Sequence, residues 1–344
     1  MPLQPSRRVA CACVSDETRR TMILPGAKAL YRRPFAPSCF GFAVDSVYIL
    51  VDTVYGRSSN VFTLNGVRTL GSNTRLERLG RWALVTGASE GIGRACAEQL
   101  AGERMNLLLV ARSEEKLHAL AETWRSQFGI TVDVCAADLS KTEGVEAVCQ
   151  ASAVRDVGVF VAAAGFGTSG AFVDAPLGPE LAMLDVNCRA VLVLTHQIAR
   201  SMRERGRGSI VLFSSLVAFQ GVARAAHYAA TKAYIQTFAE GLGVELAPHG
   251  VQVIACAPGP VQSGFGRVAG MKMGLADTPL AVARATIRNL GGSSRTLRPG
   301  RVGAFLQAML ATAPRFLRVR ILAVIMKGMT QHQSEDTKPE AGSP

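Results

Sequence analysis

Paired histidines are missing from this sequence. Its five, His118, His196, His227, His249 and His332, lie too far apart to provide the ligand spacing of a zinc or other transition-metal site, so no metal is expected. Aromatic residues are scarce at 6% and nowhere alternate with lysine or arginine, which excludes a base-stacking platform. The apolar stretch from Phe40 to Tyr55 is too short to span a bilayer and carries Asp45 and Asp52. A secretory signal is not expected either, because Arg7, Arg8, Arg19 and Arg20 bracket only the short stretch Val9 to Val14.

The chain does have a formal charge of +12, which would suit a nucleic acid or an anionic membrane if it were concentrated. It is spread out: residues 1–80 hold 11 of the 38 lysines and arginines and 5 of the 26 acids, so the excess divides evenly between that segment and the rest. A nucleic-acid partner is therefore not expected. Eight cysteines in 344 residues do not make a disulfide framework. Cys96, Cys135, Cys149, Cys188 and Cys256 sit in apolar runs and read as buried free thiols, pointing to a reducing, cytoplasmic setting.

From Arg81 the pattern changes to short β-branched and leucine runs alternating with segments of helical period, the mark of a doubly wound α/β fold. Strands are predicted at Trp82 to Thr86, Asn106 to Ala111, Thr131 to Ala136, Val157 to Ala163, Ser209 to Ser214 and Val251 to Cys256, with a weak seventh near Thr296. The longest helices are predicted from Pro179 to Arg203 and from His227 to Ala247. Together these give a Rossmann-type parallel sheet of about seven strands with helices on both faces. Residues 1–80 lack this rhythm and are expected to be a disordered extension or sequence upstream of the true start. The domain of interest is expected to span 81–300, followed by a basic amphipathic helical segment over 301–330 and a disordered tail over 331–344.

Directly after the first strand comes Thr86-Gly87-Ala88-Ser89-Glu90-Gly91-Ile92-Gly93, leading into a helix. A glycine-rich turn between strand and helix lets backbone amides approach a pyrophosphate, and the helix N-terminus adds partial positive charge. About twenty residues on, where nucleotide-binding folds read the adenosine ribose, the second strand ends at Arg112. A guanidinium there pairs with a 2′-phosphate where a carboxylate would repel it, so NADP(H) is expected and NAD(H) disfavoured. Asp138, followed by Leu139 at the end of the third strand, is placed either to accept from the adenine amino group or to cap the next helix.

Tyr228 and Lys232 lie four residues apart, on one face of a helix. A nearby ammonium favours the phenolate and is expected to pull the tyrosine below its ordinary pKa of about 10, toward general acid/base duty. Ser215, thirteen residues before Tyr228, follows a strand's C-terminal end and can donate to a substrate oxygen. With these residues the chain resembles the short-chain dehydrogenase/reductase family over roughly residues 81–300, in the manner of 3-oxoacyl reductases and hydroxysteroid dehydrogenases. The resemblance makes Thr86, Gly87, Ser89, Gly91, Ile92 and Gly93 the cofactor turn and Ser215, Tyr228 and Lys232 the catalytic set. It assigns Asn187 to holding a proton-relay water, lets Tyr228 and Lys232 also touch the cofactor, and sets Pro258, Gly259, Val261 and Ser263 at the nicotinamide carboxamide. One departure stands out: the family's Asn-Asn-Ala-Gly is Ala162-Ala163-Ala164-Gly165 here, so Ala164 and Gly165 face the cofactor without the neighbouring amide side chains, and a looser sheet edge is expected.

The reaction implied is hydride transfer between a nicotinamide and a carbonyl or secondary alcohol. Its alternative is a non-catalytic NADPH sensor or membrane-surface scaffold of the same fold. Phe166, Phe172, Phe219 and the segment Gly264 to Pro279, with Phe265, Met271, Met273 and Leu275, suggest an apolar substrate such as an acyl or steroid-like ketone. The family resemblance implies a homodimer or homotetramer through the two long helices. Over residues 303–327 two placements remain open, a basic amphipathic helix on an anionic membrane surface or a helix docked on the domain or at a subunit contact.

Overall fold

The computed structural model describes residues 75–271, 276–300 and 313–330. The expectations for residues 1–74, for Met273 and Leu275, for 301–312 and for the tail after 330 lie outside the described residues.

Seven parallel strands form one sheet in the order β3-β2-β1-β4-β5-β6-β7. They are β1 (Trp82–Thr86), β2 (Asn106–Ala111), β3 (Val132–Ala136), β4 (Val157–Ala162), β5 (Gly208–Phe213), β6 (Val251–Cys256) and β7 (Thr296–Leu297). Chain order runs outward from β1 to β3 in one direction and from β4 to β7 in the other. The direction therefore reverses between β1 and β4, and a crevice opens beyond their C-terminal ends.

Period-two alternation assigns the strand side chains to two cores. Ala83, Val85, Leu107 and Leu109 face one, with α1 (Gly91–Gly102), α2 (Glu114–Phe128) and α8 (Pro279–Arg288), which contribute Leu100, Trp124 and Val282. Leu84, Leu108, Val110 and Phe160 face the other, with α3 (Thr142–Ala153), α5 (Val191–Arg205) and α6 (Ala226–Leu246), which contribute Val148, Leu194 and Ile235. Each fully buried leucine or valine contributes roughly 1.5–3 kcal/mol, which is why strands covered on both faces read as unbroken apolar runs. The packed body starts before the first strand. Leu76 is wholly buried in the first core, and the Arg75 guanidinium donates to the carbonyls of Ile287 and Arg288 at the end of α8.

The long helix expected from Pro179 to Arg203 is instead three pieces: α4 (Leu177–Leu184), a π-helical turn Asp185–Ala190, and α5. Apolar spacing continues across the turn, so the sequence pattern does not reveal the extra residue; only the hydrogen-bond register does. The remaining helices, α7 (Phe265–Val268) and α9 (Arg315–Met329), pack on an apolar cluster around Tyr228.

Candidate active site

The glycine turn is held against the sheet from both sides. Ala88 is buried and its amide donates to the Val110 carbonyl, while the Thr86 hydroxyl accepts from the Ala164 amide at 3.1 Å. The turn must pass so close to neighbouring backbone that side chains are excluded. Gly87 has φ +67°, and a Cβ on Gly93 would stand 2.2 Å from the Gly87 carbonyl oxygen. Glu90, in the N-cap position of α1, makes no side-chain capping bond, so the first-turn amides of Gly91, Ile92 and Gly93 keep free donors at the positive end of the helix. A cradle with free donors and no room for Cβ atoms fits a dinucleotide pyrophosphate. Ser89 lies within the turn, Ile92 packs on the first core, and Ser263 meets Gly91 across the mouth, where its Cβ would lie 3.4 Å from a Cβ on that glycine.

Arg112 follows β2, exposed and without a salt bridge among the described residues. It is near enough to Asp138 to help lower that carboxyl. The main cause of the lowering is the Ser140 amide, which donates to Asp138 Oδ1 at 3.0 Å, with the Ser140 hydroxyl on the same oxygen at 2.9 Å. Asp138 thus closes the turn before α3, whose N-cap is Lys141; Oδ1 is spent on the protein, and Leu139 is buried in the second core.

The loosening expected at Ala162-Ala163-Ala164-Gly165 is opposed by the Thr86 bond to Ala164 and by Asn187. The Asn187 side chain grips Phe166 at both ends, accepting from its amide at 3.1 Å and donating to its carbonyl at 2.9 Å. It also donates to the Thr231 hydroxyl at 3.1 Å, which ties the loop after β4 to α6. With its side-chain oxygen and nitrogen so engaged, Asn187 positions that loop. Gly165 passes within reach of both partners: a Cβ there would lie 2.8 Å from Asn187 Oδ1 and 3.5 Å from Lys232 Nζ.

Tyr228 and Lys232 come together on α6, both buried, with Nζ 5.8 Å from the phenol ring centroid. The expected acidification of the phenol does not occur. Burial pushes Tyr228 up to about 12, and a hydrogen bond from Ser215 offsets only part of this. Sequence spacing places an ammonium on the same face but does not show where it points: Nζ donates to the Phe213 carbonyl at 2.9 Å. Burial meanwhile presses the Lys232 amine down to about 8. Ser215 caps the short turn Leu216–Phe219, its oxygen accepting from the Val217 amide, while Ser214 anchors the helix by donating to the Lys232 carbonyl at 3.0 Å. Beyond β6, Pro258 accepts from the Leu216 amide, Gly259 follows it, and Val261 is buried and bridged to Asp277.

Around Tyr228 lies a third apolar cluster that includes Met183 of α4, Val222, Leu322 and Met326 of α9, Phe166, Phe265 and Met271. The Phe265 ring centroid is 5.3 Å from that of Tyr228. Phe172 and Phe219 do not join it: Phe172 is exposed with its edge toward His227, and Phe219 lies under the Arg298 guanidinium. Sequence reasoning missed Met183, Leu322 and Met326, whose spacing marks them as core but not as core beside a tyrosine. It also missed Glu180, buried, whose carboxylate meets His227 Nδ1 at 2.7 Å and ties α4 to α6 beside Tyr228; two helical residues 47 positions apart give no signal of contact.

Comparison with known proteins agrees with this geometry. The model of the short chain dehydrogenase family matches residues 81–272. The "inactive hydroxysteroid dehydrogenase-like protein 1" of Rattus norvegicus is 32% identical over 240 residues, 68% of this chain and 73% of that protein. The 7beta-hydroxysteroid dehydrogenase of Clostridium sardiniense is 33% identical over 183 residues, 53% of this chain and 70% of that one. Among solved structures, a short-chain dehydrogenase from Sphingobium yanoikuyae in complex with NADPH superposes with a TM-score of 0.62 at 26% identity, covering 76% of this chain and 98% of its own.

Proposed function

Because this chain belongs to the short-chain dehydrogenase family, we propose that it is an NADP(H)-dependent oxidoreductase interconverting a carbonyl and its secondary alcohol on an apolar, acyl- or steroid-like molecule. The observation that carries this reading is the convergence of Ser215, Tyr228 and Lys232 at the C-terminal end of β5, beside the glycine cradle. Bound NADP(H) supplies or accepts the hydride. The amides of Gly91, Ile92 and Gly93 hold the pyrophosphate, and Arg112 pairs with the 2′-phosphate that NAD(H) lacks. The NADPH complex of the Sphingobium yanoikuyae neighbour supports that choice.

Tyr228 works as a general acid in the reductive direction. A phenol held at about 12 keeps its proton until the carbonyl oxygen gains charge and becomes the stronger base. Ser215 orients that oxygen. Lys232, whose Nζ donates to the Phe213 carbonyl, would hold the nicotinamide ribose. Asn187 holds Phe166, and with it Gly165, in place beside Lys232. The apolar cluster around Tyr228 supports a large apolar substrate, as does the likeness to a hydroxysteroid dehydrogenase. Exposed Leu192, Val193, Tyr234 and Val244 on α5 and α6 support a homodimer or homotetramer, and the buried free thiols of Cys96, Cys188 and Cys256 support a cytoplasmic setting.

The rat relative that is called inactive motivates a second reading, in which the chain binds NADPH without turnover. One assay separates the two. Purified protein is given a panel of apolar ketones and 3-oxoacyl thioesters with NADPH or NADH, and cofactor absorbance is followed. Turnover with NADPH is expected, with Tyr228→Phe lowering it by about 10²–10⁴-fold. Equal rates in the variant would remove Tyr228 from the mechanism, and NADPH binding without turnover across the panel would favour the binder.

A further inference from the structure

Helix α9 has two apolar faces, and the domain covers only one of them. Leu322 and Met326, both buried, face inward with Met329 onto the cluster that surrounds Tyr228. At about 100° per residue, Leu317, Ile321 and Val324 fall within about 60° of arc on the outward side of the helix, and they are 40%, 37% and 74% exposed. A surface helix ordinarily keeps its outward side polar, because nothing repays an apolar side chain left in water. Here the cations lie at its borders, Arg320 and Lys327 on one side and Arg318 on the other, and the helix contains no acid. Nearby α4, whose Met183 shares the inner cluster, exposes Leu177 and Leu181 as well.

An apolar strip flanked by cations matches the boundary of a bilayer, where apolar side chains enter the acyl region and arginine and lysine stems carry their charge back to the headgroups. No helix among the described residues is long and apolar enough to cross a membrane, so the fit is along the surface. A second copy of the chain is the poorer occupant. A two-fold contact centred on this helix would set it against its own copy, and its cations would meet their own kind with no acid on the helix to pair with. We propose that α9 lies on an anionic lipid surface, with Leu317, Ile321 and Val324 inserted and Arg318, Arg320 and Lys327 on the headgroups, at the substrate end of the cleft.

The test uses the full-length protein and vesicles of phosphatidylcholine with or without phosphatidylserine, read by flotation. Binding is expected on the phosphatidylserine vesicles and to fall with salt. It should fall about tenfold in the double variant Ile321→Gln with Val324→Gln, and about thirtyfold in Arg320→Glu with Lys327→Glu. Val154→Gln, an exposed valine after α3, should change nothing. Equal binding to neutral vesicles, absence of binding, or binding indifferent to both double variants would overturn the proposal. So would a vesicle-free dimer that sedimentation shows to be lost in Ile321→Gln with Val324→Gln, since that assigns the face to a second copy. The readout needs no turnover, so its failure leaves the oxidoreductase reading standing, and the converse also holds.

Discussion

The two ends of the cleft are built from different material. The end proposed to receive the pyrophosphate is walled by main chain: the amide of Ala164, Gly87 and Gly93 at backbone distances with no room for a Cβ, and Gly91 at φ +60°. The end proposed to receive the substrate is walled by side chains: Met183, Val222, Phe265, Met271, Leu322 and Met326, drawn from segments far apart in sequence. A backbone wall is rigid and suits a ligand that does not vary. A wall of methionine, leucine and phenylalanine repacks easily and suits a ligand that does. One fold can thus keep its cofactor while changing what it acts upon.

The contrast breaks most readily at Gly93. A Cβ there would meet the Gly87 carbonyl, and neither partner is a side chain that can swing aside. Gly93→Ala is expected to weaken NADPH binding by about 100-fold or more, roughly 3 kcal/mol, by titration calorimetry. An unchanged dissociation constant would mean the main-chain wall yields after all.

Between the two walls stands Lys232, a buried charge that stability alone would not select. Its amine sits at about 8 in the folded protein against an ordinary 10.5. Relative to a neutral side chain, its contribution is therefore full above about pH 10.5 and is lost as pH falls through about 8. At pH 7 the charge costs ~3 kcal/mol, offset in part by the bond to the Phe213 carbonyl. Lys232→Met should abolish turnover yet raise the unfolding free energy by about 1–3 kcal/mol at pH 7, the gain disappearing near pH 10.5. Denaturant titrations at both pH values decide it, and a variant less stable at pH 7 would contradict the burial argument.

The smallest effect is expected on the side-chain wall. Met183→Leu keeps volume and apolarity, so KM for an apolar ketone should move about two- to fivefold with kcat within about twofold. A collapse of kcat in steady-state assays would show that this wall, too, tolerates no change.

The same contrast explains what the sequence disclosed. The strands and the glycine turn were legible because they depend on local pattern: alternating burial on a two-faced sheet, and glycine where backbone meets backbone. Ser215, Tyr228 and Lys232 were legible as a spaced set but not in their electrostatics, since the direction of Nζ and the depth of the phenol depend on how α6 settles against β5. The substrate wall was only half legible. Phe166, Phe265 and Met271 were anticipated, but Phe172 and Phe219 turned elsewhere, and Met183 and Met326 were not singled out. Nothing local tells an apolar helix residue which neighbour it will meet.

One surplus residue widens the turn Asp185–Ala190. A helix advances about 100° with each position, so the insertion re-aims everything downstream by more than a quarter revolution. Met183, ahead of it, looks to the substrate wall; Asn187 and Cys188, inside it, look to α6; Leu194 and Ile198, past it, look to the sheet. A single rod of peptide thereby answers to three neighbours, and it cannot be shortened by one codon without abandoning one of them.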